Sequence, residues 1–395
     1  MKLLVDVVNF NADASCLDSA RWLDALQGGA TSQFCRWLGI YVRLEKKVVL
    51  GLTGATLADL HAHNPEALDI LRRHPETFEG IVRPFSHDIA LLRHRDGFAL
   101  NLRLGMLALR SGFTRSSDYY LPPEFMLSNE QTAILARSGI LGTFVNPERL
   151  AADIRSRIPD RPYWMRGLEN SRLRCLPIAC GFTQAYLDSL HTFTATPWLH
   201  QLGQVGTQTC LSWRDGESSF LLPDGLAREL AWLEGEAGCE RQFLSGLAED
   251  FRANTDLAPE HLRSYPVHSF LAWMKEFRMM GYLGRLQRLE SEVSALGPEG
   301  LALWLQAVNS DVMSAVEKVS PQIRIRAEPD AKGDIHYTIL RSERGFEGEE
   351  CLSMLERMLQ GDSRLFGQYI GGDEPPMRKL RGRFEYLKHL LEQAV

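Results

Sequence analysis

The first half of the chain alternates short apolar runs with helix-like segments, and this alternation most constrains the fold. Apolar runs typical of buried strands occupy residues 3–8, 47–52, 79–85, 140–145, 173–179 and 209–213. Helical spacing appears between them, as over 56–73, and the capping box of Ser128 with Gln131 predicts a helix over 129–138. Strands that alternate with helices form parallel sheets. The pattern therefore predicts an α/β fold whose parallel sheet closes into a barrel.

The second half of the chain follows a different pattern. Long helical patterns cover 226–236, 267–296 and 301–319, and the strand-like stretch there is 322–340. The length of 395 residues allows about two or three domains. We therefore predict a (β/α) barrel domain over residues 1–224, followed by a mainly helical C-terminal region over 225–395 that packs on the barrel.

Composition argues against several classes of function. The net charge is −6, and no basic tail offers a binding surface to nucleic acid. No run approaches the roughly 18 apolar residues of a membrane helix, and Asp6 interrupts the first apolar stretch, which favours a buried strand over a signal peptide. The seven cysteines are scattered, without Cys-x-x-Cys spacing, which favours reduced thiols. We expect a cytoplasmic protein without a nucleic-acid partner or a membrane span, and the sequence leaves its oligomeric state open.

Polar side chains follow several predicted strands, where parallel α/β barrels carry their chemistry. They are Asn9 and Asn11 after the first strand, His87 and Asp88 after the third, Glu124 before the capped helix, and Asp215 and Glu217 after the last. Because Glu124 and Asp215 come from well-separated strands, they can face one cleft as the carboxyl pair of a glycosidase. The alternative is that Glu124 follows a proline turn and Asp215-Gly216 forms a surface turn, without catalysis.

Several segments, in the same order along the chain, resemble the motifs of glycoside hydrolase family 57, in its 4-α-glucanotransferase and α-amylase branch. The family's first motif, His-Gln-Pro, is replaced here by Asn9-Phe10-Asn11. Its second motif, Gly-Gln-x-Glu before an aromatic loop, keeps its Glu at Glu79 and its aromatic at Phe85. The resemblance implies an incomplete (β/α)7 barrel followed by a helical region, and retaining chemistry on α-glucans.

The third and fourth motifs carry the family's catalytic carboxyls. The stretch Tyr120-Leu121-Pro122-Pro123-Glu124 resembles Trp-Leu-x-Glu, and Trp213-Arg214-Asp215-Gly216-Glu217 contains Asp-Gly-Glu. The resemblance implies Glu124 as the nucleophile and Asp215 as the acid/base. Since a nucleophilic carboxyl must be ionised, we expect an Arg or a helix N-terminus near Glu124.

The fifth motif, Gln-x-Asn followed by Trp-His-Gly-x-Phe-Gly-Gly, resembles residues 360–372. Phe366-Gly367 stands there in place of Trp-His, and Asp362 in place of the motif's Asn. The resemblance, together with the strand ends, predicts substrate contacts from Asn9, Asn11, Glu79, His87, Trp213, Glu217, Asp362 and Phe366. We expect the partner to be an oligosaccharide or polysaccharide substrate.

Other functions remain open at this point. A catalytically silent relative that binds glycan or a protein partner would fit the loss of the two family His positions. A different carbohydrate-active barrel, such as a metal-dependent sugar deacetylase or an enzyme acting on a sugar nucleotide or glycolipid, is also compatible. A deacetylase needs an Asp and two His as metal ligands, but His87 has no His three or four residues away. His61 and His63 lie on different faces of a predicted helix, so we expect no metal and no other cofactor.

Overall fold

The computed structural model describes residues 2–13, 18–89, 92–149, 162–247, 256–257, 277–293, 297–312, 324–329, 335–340, 343–361 and 364–393. Within these ranges the main sheet contains β1 (Lys2–Phe10), β2 (Val48–Leu52), β3 (Phe78–Val82), β4 (Ser116–Tyr120), β5 (Gly142–Val145), β6 (Tyr163–Arg166), β7 (Arg172–Pro177), β8 (Thr209–Asp215), β9 (Cys239–Arg241) and β10 (Asp256–Leu257). Two further strands, β11 (Arg324–Pro329) and β12 (Ile335–Leu340), pair antiparallel. The predicted α/β class is confirmed.

The sheet forms an incomplete (β/α)7 barrel. Seven strands pair in parallel in the order β8-β1-β2-β3-β4-β5-β7. The two ends of this series approach each other, because the Ala179 N–H donates to the Leu211 carbonyl at 2.8 Å. Side chains alternate along each strand, and the inward ones fill the barrel with an apolar core. That core includes Val5, Val7, Val49, Ile81, Tyr119, Leu121, Phe144, Leu176, Leu211 and Trp213.

Helices surround the barrel and continue beyond it. They are α1 (Ser19–Leu26), α2 (Gln33–Arg43), α3 (Gly54–His63), α4 (Pro65–Arg73), α5 (Arg95–Gly112), α6 (Asn129–Arg137), α7 (Phe182–Thr192), α8 (Thr196–Gln204), α9 (Ser218–Leu221), α10 (Gly225–Gly235), α11 (Phe277–Glu290), α12 (Gly297–Ala307), α13 (Glu343–Leu359), α14 (Arg364–Ile370) and α15 (Pro375–Gln393). None of the helices described is long and apolar enough to cross a membrane.

Local sequence signals set several of these boundaries. The predicted capping box at α6 is present, with the Ser128 N–H donating to the Gln131 side chain at 2.8 Å. The helix predicted over 56–73 is two helices, because Asn64 caps α4 and Pro65 begins it. The strand β4 lacks an apolar run, because polar residues alternate with buried ones in it. Its Ser116 and Asp118 are exposed to solvent. Sequence analysis therefore missed it.

The main sheet continues past residue 224. Strand β9 pairs with β1 in parallel, and β10 pairs with β6. Residues of the sequence-predicted helical region thus add two strands to the barrel sheet, β10 at its edge and β9 beside β1. The division into 1–224 and 225–395 stays a prediction.

A buried ionic cluster joins the last helix to the barrel. Arg383 of α15 donates to Asp13 and to Asp59, both at 2.8 Å, and Lys379 donates to Asp13 at 2.6 Å. All four side chains are at most 4% exposed. The burial is costly unless each charge keeps its partner. The cluster therefore fixes α15 beside the loop that follows β1.

Arg383→Met should lower the free energy of unfolding by about 3 kcal/mol, because two buried carboxylates would lose their shared cation. Chemical denaturation monitored by circular dichroism measures this change. Arg381→Met is the matched control, since Arg381 lies on the same helix with its side chain 40% exposed. A loss for Arg383→Met no larger than that for the control would contradict the assignment.

Candidate active site

The carboxyl ends of the barrel strands surround a cavity of about 220 Å³. Its lining comes from the loops after four strands, from the short helix α9 and from the chain that follows α12. The lining residues are Asn9, Asn11, Arg83, His87, Leu121, Pro122, Glu124, Phe125, Trp213, Asp215, Glu217, Ser218 and Asp311. Parallel barrels place their chemistry at this end, so we take the cavity as the candidate active site.

The pairing of β1 with β8 places Asn9 opposite Asp215. The two residues are register partners, and the Asn9 amide donates to the Asp215 carboxyl at 2.9 Å. Both side chains point into the barrel, because side chains two residues apart along a strand share a face. Val7 precedes Asn9 by two residues, Trp213 precedes Asp215 by two residues, and both belong to the barrel core. The buried side-chain oxygen Oδ1 of Asn9 has no hydrogen-bond partner in the described structure. The site therefore contains the Asp215 carboxyl and, beside it, an Asn9 amide oxygen that accepts no hydrogen bond from the described residues.

Glu217 forms a second buried carboxyl beside Asp215. One of its oxygens accepts from the Asn11 backbone N–H, and the other, also buried, has no partner in the part of the chain described. Burial, reinforced by the Asp215 charge, raises the pKa of Glu217 well above its usual value. The protonated form of Glu217, which can donate a hydrogen bond, is therefore favoured.

Glu124 is held in a strained turn. Its φ is 52°, and that of Phe125 is 56°, a left-handed conformation that residues with side chains rarely adopt. The turn follows Pro122 and Pro123, and the Phe125 ring packs edge-on against Trp213 at 5.1 Å between centroids. Strain of this kind clusters at functional sites. The turn brings the Glu124 carboxyl to the cavity that Asp215 also lines.

Arg83 lies in the cavity lining, and sequence analysis did not select it. It continues the inward row of β3 after Glu79 and Ile81, and its side chain donates to the Leu121 carbonyl at 3.1 Å. Burial lowers the pKa of Arg83 to about 10, so the guanidinium stays charged at neutral pH. Every second side chain of a strand points to the same face. Extending the series of Glu79 and Ile81 by two residues reaches Arg83, so this alternation could have indicated it.

The segment after α12 also contributes to the cavity. Its Ser310 hydroxyl hydrogen-bonds His87 Nδ1 at 2.7 Å, and its Asp311 carboxyl accepts from the Asn11 amide at 2.6 Å. Burial, together with the Arg83 charge, holds the pKa of His87 well below its usual value, so His87 is neutral. We predicted a continuous helix over 301–319, but α12 ends at Ala307. The polar triplet Asn309-Ser310-Asp311 inside that apolar pattern was the available signal.

The structure places the remaining predicted site residues elsewhere or leaves them undescribed. Glu79 lies at the opposite end of β3 from Arg83, where its carboxyl accepts from the Leu244 N–H at 2.7 Å. Phe366 is 2% exposed and packs against Phe384 at 5.0 Å. Asp362 lies outside the described residues. The other predicted residues, Asn9, Asn11, His87, Glu124, Trp213, Asp215 and Glu217, share the cavity.

Asp88 does not line the cavity, although it follows the same strand. It pairs with Arg93 at 2.9 Å, and both side chains are buried. No group of three or more His, Cys, Asp or Glu residues in the described ranges has the geometry to hold a metal ion.

Comparison with solved structures identifies the fold. A GH57-type branching enzyme from Pyrococcus horikoshii matches with a TM-score of 0.62 and 11% identity, over 97% of this chain and 95% of that one. A GH57 branching enzyme from Thermococcus kodakaraensis matches with a TM-score of 0.61 and 11% identity, over 98% and 95%. The 4-alpha-glucanotransferase from Thermococcus litoralis matches with a TM-score of 0.60 and 13% identity, over 85% of this chain and 63% of its own.

These matches show that the chain has a GH57-like fold. It spans less than two thirds of the glucanotransferase. No protein-family model matches the sequence, and no curated protein matches it significantly.

Proposed function

We propose that this protein is a retaining carbohydrate-active enzyme, a glycoside hydrolase or a glycosyl-transferring enzyme, that acts on an α-glucan or related oligosaccharide. Glu124 is the nucleophile and Asp215 the acid/base in this proposal. The observation that carries it is that both carboxyls line one cavity at the catalytic end of a barrel with the GH57-like fold. Retaining glycosidases need such a carboxyl pair.

The surroundings of Glu124 suit a nucleophile. Its strained turn presents the carboxyl to the cavity, and the charged Arg83 interacts electrostatically with it. An opposite charge nearby favours the ionised form of a carboxyl. Glu124 can therefore attack the anomeric carbon and form a covalent glycosyl ester.

The surroundings of Asp215 suit an acid/base. It must give a proton to the leaving oxygen and then take one back from the incoming water or sugar hydroxyl. The Asn9 amide donates a hydrogen bond that orients the Asp215 carboxyl within the cavity. Glu217, whose pKa is raised by burial, supplies hydrogen-bonding groups for sugar hydroxyls together with neutral His87 and Asn11, and Trp213 supplies an aromatic surface.

We expect the wild-type protein to cleave or transfer malto-oligosaccharides or aryl α-glycosides with retention, so the first product is the α anomer. Proton NMR of the anomeric signals, recorded before mutarotation, measures this. Activity should not change with EDTA, because the proposed chemistry uses two carboxyls and no metal.

Three results would contradict the proposal. An initial β anomer would mean inversion, and an activity that EDTA abolishes and zinc restores would favour the deacetylase type of barrel. A protein that is inactive on all these substrates but binds oligosaccharides on a glycan array would be a binding relative. The replacement of the family's first motif by Asn9-Phe10-Asn11 is the observation that favours this second function.

A further inference from the structure

A glycine on the neighbouring strand lies beside Leu121 and Arg83. A Cβ placed on Gly51 of β2 would lie 2.9 Å from the Leu121 side chain and 3.5 Å from Cδ of Arg83. The absence of a side chain at Gly51 therefore leaves the space in which Leu121 and the stem of Arg83 pack. Arg83 is itself buried at the barrel mouth, where it is 2% exposed.

Arg83 also connects the end of β3 to the start of the Glu124 turn. Its Nη1 donates to the Leu121 carbonyl at 3.1 Å, and the Leu121 N–H donates to the Val82 carbonyl at 3.0 Å. Leu121 is three residues before Glu124, and the two prolines lie between them. Both polar groups of the Leu121 backbone are therefore held by consecutive residues of the β3 end.

Acidic groups from three segments of the chain line the cavity that contains Arg83. Glu124 follows β4, Asp215 ends β8 and Glu217 follows it, and all three interact electrostatically with the guanidinium, as does Tyr120. His87, from the chain after β3, is neutral, and Asp311 lines the cavity from the segment after α12. Among the lining residues that the structure describes, Arg83 is the single Lys or Arg. The Nε and Nη2 atoms of Arg83 are buried and have no hydrogen-bond partner among the described residues.

We propose that Arg83 is a positioning residue for Glu124: its hydrogen bond to Leu121 anchors the strained turn, and its charge keeps the Glu124 carboxyl ionised. The assignment deepens the proposed function and rests on it, since an ionised Glu124 is what the nucleophilic step requires. A purely structural role for Arg83 would make the same hydrogen bond but would not control the ionisation of Glu124.

The test is a direct titration of Glu124, which needs no substrate. In protein labelled with [δ-¹³C]glutamate, the Glu124 signal is assigned by its loss in Glu124→Gln and followed against pH by NMR. In Arg83→Met the titration midpoint should rise by about 1 pH unit or more, because removing a nearby cation favours the protonated carboxyl. Arg83→Gln, which keeps a donor for Leu121 but loses the charge, should show the same rise.

Two further variants complete the test. Arg83→Lys keeps the charge, so its Glu124 midpoint should stay close to that of the wild type. Arg115→Met removes a cation from just before β4, near Glu79 at the far end of the barrel, and should also leave the midpoint unchanged. Circular dichroism and thermal unfolding confirm that each variant is folded before titration.

An unchanged midpoint in either folded neutral variant would overturn the assignment. So would a rise in Arg83→Lys as large as that in Arg83→Met. These results are distinct from failure of the proposed function. A wild type inactive on every glycoside would contradict the enzyme, whereas the NMR titration would still show whether Arg83 controls Glu124.

Discussion

Glu124→Gln should lower the rate of glycosidic bond cleavage by several orders of magnitude while the protein stays folded. Glutamine keeps the size of the side chain and can still hydrogen-bond in the turn. It cannot form the glycosyl ester, because its amide is not a competent nucleophile. The measurement is the initial rate of release of an aryl group from an activated aryl α-glycoside, for which leaving-group protonation is unimportant.

The control for this substitution is Glu130→Gln, at an exposed position in the first turn of α6. Its rate should equal that of the wild type. If Glu124→Gln keeps a rate within about threefold of the wild type, Glu124 is not the nucleophile, because removal of a covalent catalyst cannot be so mild. Thermal unfolding of all three proteins shows whether any loss comes from the fold.

Asp215→Asn should reduce cleavage of poor leaving groups far more than cleavage of good ones. Asparagine cannot donate a proton to the departing oxygen, and only a poor leaving group needs that proton. We expect the hydrolysis of malto-oligosaccharides to fall by about 100-fold or more, within the range of general acid catalysis. A series of aryl α-glycosides with increasing leaving-group pKa measures the difference, as a steeper dependence of kcat/KM on that pKa.

Asp118→Asn is the matched control, because Asp118 is exposed on strand β4 of the same barrel. Its dependence on the leaving group should match that of the wild type. An Asp215→Asn variant that slows all leaving groups equally would show that Asp215 does not donate the proton. In that case Glu217, a carboxyl in the same cavity whose pKa is raised by burial, would be the next residue to substitute.

The alternation of inward-facing and outward-facing side chains along each strand explains which site residues could be predicted from sequence. Asn9 and Asp215 each stand two residues beyond an inward apolar residue, so their direction follows from the period of a strand. The resemblance to the family's first and fourth motifs indicated the same two residues. Glu124 was selected from its place before the capped helix and from its motif, although its strained turn was not foreseeable from Pro122 and Pro123 alone.

The case of Glu79 shows where that reasoning stops. Glu79 and Arg83 belong to one inward row of β3, but Glu79 lies near the start of the strand and Arg83 just beyond its end. Alternation determines on which face of the sheet a side chain lies. It does not determine how far along the barrel axis the side chain lies. We placed the strand end at Phe85, whereas β3 ends at Val82, so Arg83 was read as part of the strand.

By itself, the sequence determined the α/β class, the inward direction of alternate strand residues and the helix α6, because these depend on local period and on caps a few residues apart. The tertiary structure alone decided that Asp311 joins Asn11 and that Phe366 packs away from the cavity. Asp311 and Asn11 are 300 residues apart in the chain. Their contact depends on how α12 and α15 pack on the barrel, and that packing is set by buried surfaces and ion pairs between distant segments, which no local pattern encodes.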